Sequence, residues 1–322
     1  MSSKVLEGVK RVGLWNSFMG SVKAVLEYTN MKNIEDYMLM GSTGMAFRFV
    51  MKSNCDASGP TVYDWASEHF TMLDRIGIFS DITLLFREQG LNTFKLAQVS
   101  AMEKIKKAID NDIPVIIWAP SSVMEFGIIS GYDDEQRVFF VRDVGEDEPD
   151  PLLYDNLGIS MIPYLYVHVL ESCIDVAQEK MFRSSLVYGI KEWNKKFHVS
   201  SSYTCGNAAY QSTIDALSSE RFNDFGFCYC MAVYAQSKEL LAEYIKELSI
   251  RSKEIKIPSK TVEYCMDISD GFREISMRTP FLGPKKVHKV DCKKELALYL
   301  KQLREKEEYV MKSLEKAIGS AN

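Results

Sequence analysis

The stretch that most constrains this 322-residue chain is KAIDNDIPVIIWAPSSVMEFGIISGYDDEQRVFFVRDV, residues 107–144. Met102, Ile105 and Ile109 recur at helical spacing and stop before Pro114, which cannot continue a helix. Val115–Ala119 is then an unbroken apolar run, Phe126–Ser130 a second and Val138–Val141 a third. Gly131-Tyr132-Asp133-Asp134 reads as the turn between the last two. A helix feeding an antiparallel hairpin is expected. Tyr164–Val169 adds a strand, because Tyr164, Tyr166 and His168 alternate with Leu165, Val167 and Val169. Upstream, Phe18, Val22, Val25 and Leu26 mark a short helix with Asn16 or Ser17 as its N-cap. Val62, Trp65, His69, Met72 and Ile76 mark another, ending near Gly77.

Beyond Asp175 the strand signals give way to amphipathic helical patterns: Met181 to Trp193, Gly206 to Leu217, Leu240 to Leu248 and Leu296 to Ala317. A boundary near Glu171–Ala177 is expected, with an α+β domain over 1–172 and an α-helical domain over 173–322. The acidic run 145–150 reads as a solvated loop. The Lys-rich pieces 252–260 and 283–294 read as solvated connectors, with a phosphate-binding patch as the alternative.

The net charge of −5, with Lys and Arg spread along the chain, gives no nucleic-acid footprint. No run of ~18 apolar residues and no leader-like start is present, so neither a membrane span nor a signal peptide is expected. Seven scattered cysteines without a Cys-x-x-Cys pair suit reduced thiols in a cytoplasm. Four distant histidines offer no zinc spacing, and no metal or cofactor is expected.

Walker A, GxGxxG and G-x-S-x-G sequences are absent. What remains is an order of elements. Ile113-Pro114-Val115-Ile116, the Gly131-Tyr132-Asp133-Asp134-Glu135 turn and the terminal Asp143 resemble the second half of the papain-like domain of bacteriocin-processing peptidases and their relatives, the butirosin-biosynthesis H family included. Residues 13–49, with a Met-Gly-x-x-Gly-x-Ala-Phe stretch, are similar to that family's nucleophile helix and the segment after it. YTCGNAAYQSTIDAL (203–217) is similar to its helical accessory domain. The resemblance implies a papain-like fold with an antiparallel sheet, a role in specialised metabolism, and an acyl carrier protein as partner.

The chain departs from the family where chemistry matters. Glu125 stands where the family's His opens the strand, and no cysteine lies on the nucleophile helix, where the candidates by register are Asn16, Ser17 and Ser21. A carboxylate ionises near pH ~4 and is a weak base unless burial raises its pKa. A serine needs an adjacent base to attack. Three readings compete. In the first, a degenerate cleft lined by Trp15, Asn16, Ser17, Glu125 and Asp143 holds a small molecule, peptide or carrier-tethered acyl group. In the second, an acyltransferase or amide hydrolase uses Ser17 or Ser21 with Glu125 as base. In the third, Glu125 and Asp143 act as a general acid–base pair. A non-catalytic scaffold and self-association stay open.

GSTGMAFRF (41–49) could approach a bound group through its glycines, and Arg48 could pair a ligand carboxylate or an acidic neighbour. Cys205, beside Gly206, reads as a buried small hydrophobe more than a nucleophile. Cys228 and Cys230, at i and i+2, read as core residues on opposite faces of a strand. His69 lies on the apolar side of its helix and reads as a hydrogen-bonded core residue.

Overall fold

The structure is a computed structural model, and it describes residues 2–11, 13–87, 92–145, 149–283 and 285–319. Part of the 145–150 loop and Pro284 of the second Lys-rich piece lie outside them. The fold is α+β, and its contacts form two compact units. One joins the chain up to Ile34 with Trp65–Asp175; the other joins Glu35–Asp64 with the chain from Val176 onward.

The first unit is built on an antiparallel sheet. β1 (Ser3–Val5), helix α1 (Ser17–Leu26), α3 (Trp65–Arg75), β3 (Ile78–Phe86), α4 (Phe94–Asp110), β4 (Val115–Trp118), β5 (Phe126–Asp133), β6 (Val138–Arg142), β7 (Leu152–Leu153) and β8 (Tyr164–Cys173) follow one another in the chain. The strands order as β3-β8-β4-β5-β6-β7, with β1 on the far half of β5. Register sets the faces. Ile82, His168 and Ile116 lie opposite one another across three strands, so they share one side. That side carries aromatic residues, where Phe126 meets Phe18 of α1 and Trp65 of α3. Asp81, one residue from Ile82, points to the other side and pairs with Lys104 of α4 at 2.8 Å.

Two expectations need correction. Gly131-Tyr132-Asp133 is strand, not turn, because β1 pairs with it on one edge and β6 on the other. The turn falls at 134–137, where Asp133 Oδ1 accepts the N–H groups of Glu135 and Gln136 and Arg137 takes φ 56°. Cys228 and Cys230 lie on a helix, both buried.

The second unit contains α2 (Asp36–Ser42), β2 (Val50–Lys52), α5 (Gln178–Asn194), β9 (Tyr203–Cys205), α6 (Gly206–Leu217), α7 (Asp224–Arg251), α8 (Ser259–Arg278) and α9 (Lys293–Gly319). β2 and β9 form a short antiparallel ribbon, Val50 opposite Cys205. Tyr234 of α7 ties it down: its hydroxyl donates to the Val50 carbonyl at 2.6 Å and accepts the Val50 N–H at 3.0 Å. Gly41 is no ligand cradle. Its missing side chain makes room for the Tyr244 ring, whose Cγ lies 2.0 Å from where a Cβ would stand. Among the described residues no helix is long and apolar enough to cross a membrane.

Candidate functional site

α1 begins at Ser17 because Asn16 caps it. The Asn16 backbone is extended (φ −77°, ψ 103°) and its Oδ1 accepts the Met19 N–H at 2.9 Å. The cap puts Ser17 in the first turn, 3% exposed, against the start of β5. There Ser17 Oγ donates to Glu125 Oε2 at 2.5 Å and accepts the Phe126 N–H at 3.1 Å. The shorter contact has the length of a charge-assisted O–H···O⁻ bond.

Glu125 is half-buried, and its backbone is fixed from both sides: its carbonyl accepts the Ala119 N–H and its N–H donates to the Val123 carbonyl. Ala119 has φ 47°, a left-handed conformation costing an L-residue about 1 kcal/mol. That strained turn brings the 119–125 loop back to the head of β5.

Asp143 follows β6 beside Gly127, where an added Cβ would stand 2.6 Å from the Arg142 carbonyl and 3.2 Å from the Asp143 Cβ. Only glycine allows this approach. Asp143 is 8% exposed. Its Oδ1 accepts the Gly145 N–H at 2.8 Å, and its Oδ2 has no hydrogen-bond partner among the described residues. Ser21 is fully buried, and its hydroxyl donates to the Ser17 carbonyl at 2.9 Å. Trp15, just ahead of the cap, is exposed. The structure thus brings Ser17 and Glu125 into contact, holds Asp143 just past the end of β6 beside Gly127 of β5, and turns Ser21 into its own helix.

Behind Ser17, the Phe18 ring stacks on His69 at 3.4 Å between centroids. His69 Nδ1 lies 2.7 Å from the Tyr166 hydroxyl, and that hydroxyl 2.9 Å from His168 Nδ1. One phenol O–H donates to one imidazole only, so the other must donate back to the phenol oxygen. Burial pushes the His168 pKa down to about 3, outweighing the opposite pull of Asp81, and keeps the ring neutral. Both histidines belong to a core network, as the spacing of His69 indicated.

Arg48 falls in the second unit, 3% exposed. It donates to the Tyr188 hydroxyl at 2.8 Å, pairs with Glu192 at 3.5 Å, and stacks its guanidinium 3.9 Å from the Tyr63 ring centre. His198 Nε2 lies 2.8 Å from Glu192 Oε2, and Lys195 Nζ 3.0 Å from His198 Nδ1. Burial pushes the Glu192 pKa up, but the His198 hydrogen bond and the charge of Arg48 outweigh it and bring it down to about 2. Sequence reasoning missed Glu192 and His198. Arg48 itself was visible, but partners some 150 residues away leave no local trace.

Among the described residues no group of three or more His, Cys, Asp or Glu stands together to hold a metal ion. No family model and no curated protein matches this chain. Chemically, the Ser17–Glu125 contact can do one of two things: anchor α1 to the head of β5, or hold a hydroxyl ready for deprotonation.

Proposed function

We propose that the chain is a binding protein whose first unit is papain-like in plan but lacks the thiol and imidazole of that chemistry. On this reading the cleft beside Trp15, Ser17, Glu125 and Asp143 holds a small molecule, a peptide or a carrier-tethered acyl group without cleaving it. One observation supports it most. Ser17 Oγ is buried and engaged twice, by Glu125 and by the Phe126 N–H, which ties the would-be nucleophile into the helix–strand junction. The half-buried Glu125 carboxylate is the polar group left to meet a ligand, while Asp143 Oδ2, buried and without a partner among the described residues, would need the surrounding loop to shift before it could do so.

The 2.5 Å contact favours a second reading, an acyltransferase or amide hydrolase. Ser17 Oγ would attack a thioester or amide carbonyl, its proton passing to Glu125 and from there to the departing thiol or amine. Water or an amine would then release the acyl group from the serine. Among the described residues Ser21 has no such base, its hydroxyl donating to the Ser17 carbonyl instead.

Intact-protein mass spectrometry after incubation with acyl and aminoacyl thioesters separates the two. A binding protein gives no adduct, and its ligand-induced thermal shift disappears in Glu125→Gln. An acyl adduct present in the wild type and lost in Ser17→Ala makes the second reading the right one.

A further inference from the structure

The antiparallel sheet of the first unit ends on one side in β3, which pairs with β8 alone among the described residues. The other end strands are short: β7 has two residues and β1 three. β3 has nine, a span of about 30 Å at ~3.3 Å per residue. An edge of that length presents a row of unpaired backbone N–H and C=O groups, which folded chains commonly blunt with proline, lysine or a bulge. Ile78–Phe86 contains neither proline nor lysine. The one register shift falls on β8, where Glu171 is passed over, so β3 itself carries no extra residue.

The side chains of β3 also lack cover. On β8 the run Leu165–Leu170 is buried, whereas Ile82, Leu84, Leu85 and Phe86 of β3 are only half-buried and Phe79 is 54% exposed. The single charge on the strand, Asp81, is held at 2.8 Å by Lys104, whose ammonium also donates to the Thr83 hydroxyl at 2.7 Å. Asp81 is therefore already compensated and does not keep a second strand away.

We propose that β3 pairs with β3 of a second copy of this chain, antiparallel about a two-fold axis at Ile82, so that two sheets join into one. Length and charge select the same register. Ile82 is the midpoint of Ile78–Phe86, and only an axis there pairs all nine residues. It sets Asp81 across from the partner's Thr83, the residue that holds the partner's Lys104. Each Asp81–Lys104 pair then lies beside the same pair reversed, and the charges alternate across the axis. An axis at Asp81 would set two carboxylates face to face, and one at Thr83 would bring the two Lys104 side chains together; like charges directly opposite are destabilising. Phe79 comes opposite the partner's Leu85, which gives the exposed ring an apolar neighbour. The other charges nearby balance. Arg87 comes opposite the partner's Gly77, beside a turn with Asp74 and Arg75, and the exposed Glu103 and Lys107 of α4 are of opposite sign. The proposal rests on the open edge and not on the ligand reading of Ser17 and Glu125.

Sedimentation velocity of the full chain across a dilution series tests it, and a reversible dimer is expected. Asp81→Lys places like charges across the axis twice and should raise the dimer dissociation constant at least about tenfold, with the fold checked by circular dichroism. Lys301→Glu, exposed on α9, should leave it unchanged. Cross-linking under mild oxidation reads the register. Ile82→Cys should give a disulfide-linked dimer that the wild type, with its seven native cysteines, does not, and Asp81→Cys and Thr83→Cys should give far less. A chain that stays monomeric at every concentration overturns the proposal and leaves an extended segment of another protein as the remaining occupant. A dimer that Asp81→Lys leaves intact, or that Ile82→Cys fails to link, has its interface elsewhere and overturns it too.

Discussion

Removing the Ser17 hydroxyl takes a hydrogen-bond partner from Glu125 and another from the Phe126 N–H at once. Ser17→Ala should therefore cost about 1–3 kcal/mol, the usual penalty for stranding buried polar groups. Asn16→Ala, which removes one cap bond, should cost about 1 kcal/mol. Urea midpoints at constant slope would rank the two, and a smaller loss for Ser17→Ala would mean that its bonds contribute little. Glu192 makes a pH prediction. Its folded pKa, about 2, lies below its ordinary 4.5, so the charged form is stabilised by folding. That stability is complete above pH 4.5 and is lost as pH falls toward 2, at roughly 1.4 kcal/mol per pKa unit. The melting temperature should drop across this window in the wild type and less steeply in Glu192→Gln; equal slopes would remove Glu192 as the cause. Glu125 was legible because a carboxylate at the mouth of an apolar run needs a partner. The choice among Asn16, Ser17 and Ser21 was not, because it depends on where the Asn16 cap starts the helix.

Two long helices each carry a charge on an apolar stripe. Lys238 of α7 stands among Tyr234, Leu241 and Ile245, and Glu307 of α9 among Leu303, Val310 and Leu314. Both are almost fully buried and paired with each other, and the Tyr210 hydroxyl of α6 donates to the same carboxylate. Breaking such a pair leaves a charge without compensation in the core. Glu307→Leu alone should cost about 3–5 kcal/mol, and Lys238→Met added to it should restore a large part of that. A double-mutant cycle on unfolding free energies reads this directly; additive losses would show that the two side chains act independently. The signal was present in the sequence, since each charge interrupts a 3.6-residue apolar repeat, but it names a partner only when both helices are seen together. Strands were less legible than helices for a related reason. β1, β2 and β9 are three residues each, too short for a period to show. β3 escaped because most of it is only half-buried, which blurs the apolar run expected of a strand.

At the scale of the whole chain, one of the three points where the two units meet along the sequence, Asp175, lies close to the composition change near residue 172. What the sequence does not reveal is that Glu35–Asp64 packs with the helices beyond Val176, because that segment has no compositional edge at either end. Its contributions are specific. Val50 occupies the Tyr234 hydroxyl, Arg48 neutralises the buried Glu192, and Gly41 receives the Tyr244 ring. A fragment of residues 176–322 would lose all three and keep a buried carboxylate without its guanidinium, a loss that its remaining helix contacts do not replace. It should unfold over a broad temperature range. The same fragment with residues 35–64 joined ahead of it by a flexible linker should melt cooperatively, because β2 can again pair with β9. Thermal scans by circular dichroism distinguish the two. Equally sharp transitions at the same temperature would mean that the linear boundary near 172 marks the folding unit, and that the packing of 35–64 contributes little to the stability of the helices it touches.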